Sequence, residues 1–379
     1  MEKDKKNELK QWYKHNSDFQ EIKEIVDEKG IDGFADMMAK KMNRRKFIKT
    51  MGFATAGLTL LGAFPAFAQK KKEKAVTKRF KAAYSAAGLS NFWVKKGVET
   101  FQHYGSVTGF DFDIFDANFD VSKQRSQIDL IASKANEYDV VFIHPNAIGA
   151  YTEPVKEIIS KGVTLVDIDT YLVPDLSTLD ILTFTEPDNV WMGMQSTEYL
   201  CKKINYQGYV VHTQGALTHT GAQGRAKGFH LTIKKYPKIK VIDETPADWS
   251  AEKTRKIWDD LLVKYDRIDG GFFHNDDMAL AAYASVKAAG RAGKIILCGV
   301  DATAPALREL EKGHINGTVS NPPGRVHGYA FWAAWFHLVN KVPKSEIPRF
   351  LRCDGPVVTD EMEKRVIDSF IWANEHYLI

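Results

Sequence analysis

Between Phe80 and Asp301 the sequence alternates between two periods. Short runs dense in β-branched and aromatic residues include "DVVFIH" (139–144), "VTLVDID" (163–169), "GYVVHTQG" (208–215) and "KIILCGVD" (294–301). Longer segments with helical apolar spacing stand between them, such as "NFWVKKGVETFQHYG" (91–105) and "DMALAAYASVKAAG" (277–290). A nearly continuous apolar strand is what a sheet buried on both faces requires, and the intervening helices supply both the cover and the crossover that parallel strands need. The alternation pauses near residue 185 and restarts after Asp188. Two successive runs predict an α/β chain with two doubly wound parallel-sheet lobes. Ser122 is read as the cap of the helix over 122–135, and Asp276 or Asp277 as the cap after "HNDDMA".

The 379 residues accommodate two such lobes, and 44% hydrophobic residues are enough for their cores. The net charge is +4, but residues 1–68 hold 13 basic and 10 acidic side chains, so the remainder is nearly neutral. A neutral body excludes broad electrostatic attraction to nucleic acid. In "NRRKFIKTMGFATAGLTLLGAFPAFAQ" (43–69), Arg44 and Arg45 precede an uncharged stretch that ends in Ala66-Phe67-Ala68. These are the parts of a twin-arginine export signal over 43–68, with a small-x-small cleavage site at its end. Gly52, Gly57, Gly62 and Pro65 argue against a membrane anchor. The segment 69–77 reads as a lysine-rich linker. Residues 1–42 form an N-terminal extension, and Met42, directly before Asn43, offers a start alternative to Met1. Cys201, Cys298 and Cys353 show no metal spacing and give no disulfide framework.

The strands end in polar side chains: Ser85, His144, Asp169, Gln214, Asn275 and Asp301. Ligands of open α/β sheets bind outside the carboxyl ends of strands, so two facing lobes would present these groups to one cleft. A carboxylate accepts two hydroxyl hydrogen bonds at once, which suits a polyol at Asp169 or Asp301; capping a following helix is the other reading for Asp301. Arg225 lies in the first turns of a helix, where a cation is disfavoured, so it is expected to reach something specific. Phe92, Trp93 and Trp249 stand in or beside loops, where flat rings could stack on a sugar's C–H face; core packing is the other reading for Phe92 and Trp93. His274 with Asp276 and Asp277 lacks further ligands at metal spacing. His212 and His219 flank a loop with no identifiable nucleophile. The sequence contains neither G-x-x-x-x-G-K-[ST] nor G-x-S-x-G. No metal, no cofactor and no enzymatic activity are expected.

The chain resembles the periplasmic sugar-binding proteins of the ribose-binding type, which serve ABC importers. The resemblance covers nearly all of residues 79–340. It is carried by "RAKGF" (225–229), "TPADW" (245–249), "FFHNDDMALAAYASVKAAG" (272–290) and "CGVDATAPALRELEKGHINGTVSNPP" (298–323). The resemblance implies a type I periplasmic binding protein with a three-strand hinge. Lobe one would be 78–184 plus 322–349, and lobe two 185–321 plus 350–379. It implies ligand contacts from Phe92 and Trp93 with Ser90 or Asn91, and from His144, Asp169, Arg225, Trp249, Asn275, Asp301 and Asn321. His144, Thr170 and Val300 depart from the ribose-binding pattern, which points to another pentose, a hexose, a cyclitol or a furanoside. The implied partners are a small sugar or polyol, an ABC importer permease and the twin-arginine export machinery, with no nucleic acid. A monomer in the periplasm is expected. The alternative is a periplasmic sensor presenting its ligand to a receptor.

Overall fold

The computed structural model describes residues 79–377; the N-terminal extension, the twin-arginine segment and the linker expected from the sequence lie outside them. Twelve strands are described, β1 (Phe80–Ala86), β2 (Phe110–Asp116), β3 (Val140–Ile143), β4 (Thr164–Ile168), β5 (Thr183–Glu186), β6 (Gly208–Thr213), β7 (Ile239–Asp243), β8 (Gly270–Phe273), β9 (Ile296–Cys298), β10 (Gly317–Val319), β11 (Phe350–Arg352) and β12 (Val357–Thr359). They form two sheets, ordered β11-β5-β4-β3-β1-β2 and β12-β10-β9-β8-β6-β7. The pairings are parallel except β10 with β12. The two orders repeat each other, and in each sheet the direction of winding reverses beside the first strand, which opens a crevice at the strand ends there.

The helices α1 (Phe92–Thr108), α2 (Val121–Ser133), α3 (Thr152–Ser160) and α9 (Pro323–Leu338) pack with the first sheet. The second carries α4 (Asn189–Lys203), α5 (Thr220–Ile233), α6 (Ala251–Lys264), α7 (Asp276–Ala288), α8 (Ala304–Leu310) and α10 (Lys364–Glu375). Every residue of β3 and β8 is buried, as the apolar runs require. One core of the first lobe joins Ile128, Ile143, Tyr151, Ile158 and Phe184. The second lobe has a core on each face of its sheet, one around Trp258 and Phe273 and the other around Phe229 and Phe272. Cys201, Cys298 and Cys353 are buried and unpaired. Among the described residues no helix is long and apolar enough to cross a membrane.

The chain passes between the sheets after β5, after β10 and after β11. Residues 350–352, expected in the second lobe, pair instead with Phe184–Glu186 on the first sheet. A three-residue edge strand with one buried neighbour leaves too weak a pattern to assign in advance.

Two capping expectations are corrected. Asp120, not Ser122, caps α2, its side chain accepting from the Lys123 N–H. Asn275, not Asp276 or Asp277, caps α7 by accepting from the Met278 N–H at 2.9 Å. In both cases the competing polar residue lies inside the first turn, where its side chain no longer reaches the free N–H groups.

Candidate functional site: a polar cavity between the lobes

Both strand-end aspartates occupy positive φ, 63° at Asp169 and 123° at Asp301. This conformation is costly for a residue with a side chain and persists where the surroundings enforce it. Asp169 follows β4 and Asp301 follows β9, and with His144, after β3, they reach a shared cavity of about 40 Å³. Asn91, Trp93, Arg225, Trp249, Asn275 and Asn321 line it as well. Ser90 and Phe92, expected at the same place, lie along a wider outer crevice instead. Asn91 caps α1, and the turn of about 100° per residue that follows carries Phe92 outward and Trp93 inward.

Three lining residues were not picked from the sequence: Val94, Phe119 and His219. Phe119 and Trp249 play matching parts in the two lobes. Each is the second of two consecutive positive-φ residues, Asn118-Phe119 and Asp248-Trp249. Each ring lies on a glycine of the loop after its lobe's first strand: a Cβ at Gly88 would sit 2.4 Å from Phe119, and one at Gly215 would sit 2.4 Å from Trp249. The repeated strand order is the signal that could have found Phe119, since it stands where Trp249 stands in the other lobe.

Local structure sets the polarity of each side chain. Asn275 spends its Oδ1 on the α7 cap, which leaves its Nδ2 donor unpaired and buried. Asn321 donates its Nδ2 to Asp301 Oδ1 at 2.9 Å, leaving its Oδ1 as an acceptor. Asp301 is therefore not the cap of α8; Thr303 holds that position. Trp249 Nε1, Asp169 Oδ1 and His144 Nδ1 are also buried without a protein partner, while His144 Nε2 stands 3.4 Å from Asp169 Oδ2. Buried polar groups are nearly always paired, so a concentration of unpaired donors and acceptors around one cavity marks a surface built for a hydrogen-bonding ligand. A hydroxyl group, which both donates and accepts, matches this mixture.

Arg225 is held from three sides. Its Nε donates to Asn189 Oδ1 at 3.0 Å, its Nη1 donates to the His274 carbonyl, and its Nη2 stands 3.5 Å from Asp301 Oδ1. The guanidinium also lies 5.4 Å from the Trp249 ring centre. Burial pushes the Asp301 carboxyl well above the usual range, with Arg225 opposing. Burial acts upward on Asp169 too, but the hydrogen bond from His144, the facing His219 and the charge of Arg225 outweigh it and hold the carboxyl well below its usual value. Burial pushes the His219 imidazole down to about 3. The ionised Asp169 and Arg225 thus balance one another.

His144, Asp169 and His219 bring three potential metal ligands within 4.8 Å of one another, as do His212, His230 and Glu244. The hydrogen bonds oppose both readings. His219 Nδ1 accepts from the Gly221 N–H at 3.0 Å, so the neutral ring carries its proton on Nε2, the atom that faces Asp169. His274 Nδ1 accepts from the Gly215 N–H at 3.0 Å, so its Nε2 donates to His212 Nε2 at 2.8 Å. The remaining His212 proton then sits on Nδ1 and points at Glu244 Oε1, 2.9 Å away. A metal needs a lone pair where His219 and His212 each present a proton.

The model of the periplasmic binding protein domain matches residues 82–341. The chain belongs to this periplasmic binding protein family. Members of the family are solute-binding proteins rather than enzymes. The chain is 29% identical to the xylitol-binding protein of Mycolicibacterium smegmatis over 71% of this chain and 75% of that one. It is 27% identical to the D-allose-binding periplasmic protein of Escherichia coli, over 72% of this chain and 89% of the relative. Its fold matches the periplasmic binding protein of the arabinose ABC transporter from Shewanella sp. ANA-3 with a TM-score of 0.70, at 23% identity, covering 78% and 98% of the two chains. The periplasmic binding protein fold accounts for the placement of the cavity between two sheets that meet at their strand ends.

Proposed function

We propose that this protein is exported by the twin-arginine route, captures an uncharged small sugar or polyol in its cleft and delivers it to an ABC importer permease. The ring of unpaired donors and acceptors around one cavity between the strand ends is the observation that carries this reading. Relatives named for xylitol and D-allose support the polyol class. The balance of Asp169 against Arg225, with Asp301 raised, supports the absence of net charge on the ligand. An added anion or cation would be buried without a partner, which costs several kcal/mol. Asn91, Trp93, Phe119, His144, Asp169, Arg225, Trp249, Asn275, Asp301 and Asn321 make the contacts. Trp93, Phe119 and Trp249 supply apolar faces while the others take hydroxyls. Capture is by a monomer whose lobes close about the hinge.

A thermal-shift screen of the mature protein against pentoses, hexoses, pentitols and inositols tests this. At a ligand concentration 100 times Kd, binding stabilises the folded state by about 2.7 kcal/mol, a shift of several degrees. A flat response across all neutral polyols, with a response to an amino acid or an anion, would overturn the proposal.

A further inference from the structure

His219 belongs to the second lobe but is hydrogen-bonded to the first. As the residue preceding α5, it caps that helix through Nδ1, which accepts from the Gly221 N–H at 3.0 Å. This assigns the proton of the neutral ring to Nε2. Nε2 lies 2.6 Å from Thr170 Oγ1 and 3.3 Å from Asp169 Oδ2. Both acceptors follow β4 of the first lobe. The next residue strengthens the tie, since Thr220 Oγ1 donates to the Asp169 carbonyl at 3.3 Å. His219 is only 6% exposed and its ring centre is 5.8 Å from that of His144, so it borders the cavity itself. The helix it caps carries Arg225, the residue that faces Asp301.

We infer that His219 is the closure latch of the cleft, a positioning residue whose single Nε2–H ties Asp169 and Thr170 of one lobe to helix α5 of the other. The inference rests on the cleft being the ligand site. Two requirements on one ring make the latch specific to histidine. Nδ1 must accept from a backbone N–H of its own lobe, and Nε2 must donate across the gap. Serine, threonine, aspartate or asparagine satisfies the first but is too short for the second. When the lobes close, the imidazole supplies a neutral donor to the Asp169 carboxylate without adding a positive charge to the site. A ligand hydroxyl paired with Asp169 Oδ1 and the His219 bond on Oδ2 then stabilise the same carboxylate together. Arg225 moves into place on the same rigid helix. Ligand binding and closure become one event.

The test compares His219→Asn, which keeps the helix cap and loses the cross-cleft donor, with His219→Ala, which loses both. Xylitol and D-allose are the probes, titrated by calorimetry, and the radius of gyration is measured by X-ray scattering without ligand. The latch predicts that His219→Asn keeps the melting temperature of the free protein, weakens sugar binding by roughly tenfold to a hundredfold and gives a more open free protein. Thr170→Val should reproduce the loss and Thr170→Ser should restore binding. His219→Ala should also lower the melting temperature. Unchanged scattering together with unchanged affinity in His219→Asn overturns the latch. If neither sugar binds the wild-type protein, the best neutral polyol of the thermal screen replaces them in the titration, and the scattering comparison decides the latch without any ligand.

Discussion

Asp169 and Asp301 face one cavity from opposite lobes, each on a positive-φ backbone, and their surroundings shift the two carboxyls in opposite directions. Burial raises both. Asp169 is met by His144, His219 and Arg225, whereas Asp301 shares its region with the buried carboxyl of Asp276 and the half-buried one of Asp277. One residue is thereby a strong acceptor for hydroxyls. The other is pushed upward by burial and is oriented by Asn321, whose Nδ2 it accepts from.

Replacing Asp169 by Asn should weaken sugar binding by about 1–3 kcal/mol, or roughly five- to 150-fold. The side chain keeps its shape but loses the charge that strengthens each hydrogen bond. Calorimetric titration of the best sugar in the thermal screen is the measurement. An affinity within twofold of wild type would remove Asp169 from the site.

Charge selectivity follows from the same pair. A neutral pentitol or pentose should bind at least about 100-fold more tightly than its 5-phosphate or its acid, since an unpaired buried charge is strongly disfavoured. Competition against the bound neutral sugar gives the ratio directly. Comparable affinity for a phosphate would show that Arg225 has a free valence its three contacts do not suggest.

Gly215 is required by the Trp249 ring. A Gly215→Ala substitution places a methyl 2.4 Å from the indole, so ring or backbone must move. Overpacking of this kind costs about 1–3 kcal/mol in stability, and the displaced ring should weaken sugar binding as well. Denaturant unfolding and titration of the same sample separate the two losses. Gly88→Ala should do the same at Phe119.

Glu186, at the end of β5 where the chain leaves the first sheet, has its carboxyl pushed up to about 7 from 4.5, by burial first, with Asp169 and Asp188 adding and Arg352 opposing. The folded state therefore binds more protons than the unfolded chain between about pH 4.5 and 7. Stability contributed by this group is largest below pH 4.5, falls as pH rises through that window and stays constant above it. The loss is on the order of 1–3 kcal/mol. Glu186→Gln should flatten the slope of unfolding free energy between pH 5 and 7.5, measured with urea. An unchanged slope assigns the pH dependence elsewhere.

The alternation of strands and helices was legible because each element writes its pattern into its own ten or fifteen residues. "VTLVDID" reads as a buried strand whatever lies around it, and Gly290 ends a helix by local backbone geometry. Strand ends carrying Asp169, Asn275 and Asp301 could be placed at a cleft for the same reason, because parallel sheets put those ends on one side. Capping was less legible. "NFDVS" and "HNDD" offer several polar residues in a row, and one residue of register decides which reaches the free N–H groups.

By itself, then, the sequence determined the two doubly wound sheets, the polar strand ends and most of the side chains that surround the cavity. Tertiary structure alone decided which of them work together. His219 and Thr170 are 49 residues apart and become partners only when three chain crossings set the lobes face to face. Phe119 reaches the cavity through a glycine in another loop. The proton on His219 Nε2 is assigned by a backbone N–H two residues away and used by a residue of the opposite lobe. Hydrophobic periodicity is a property of short windows, whereas a hydrogen bond across a cleft depends on the path of the whole chain.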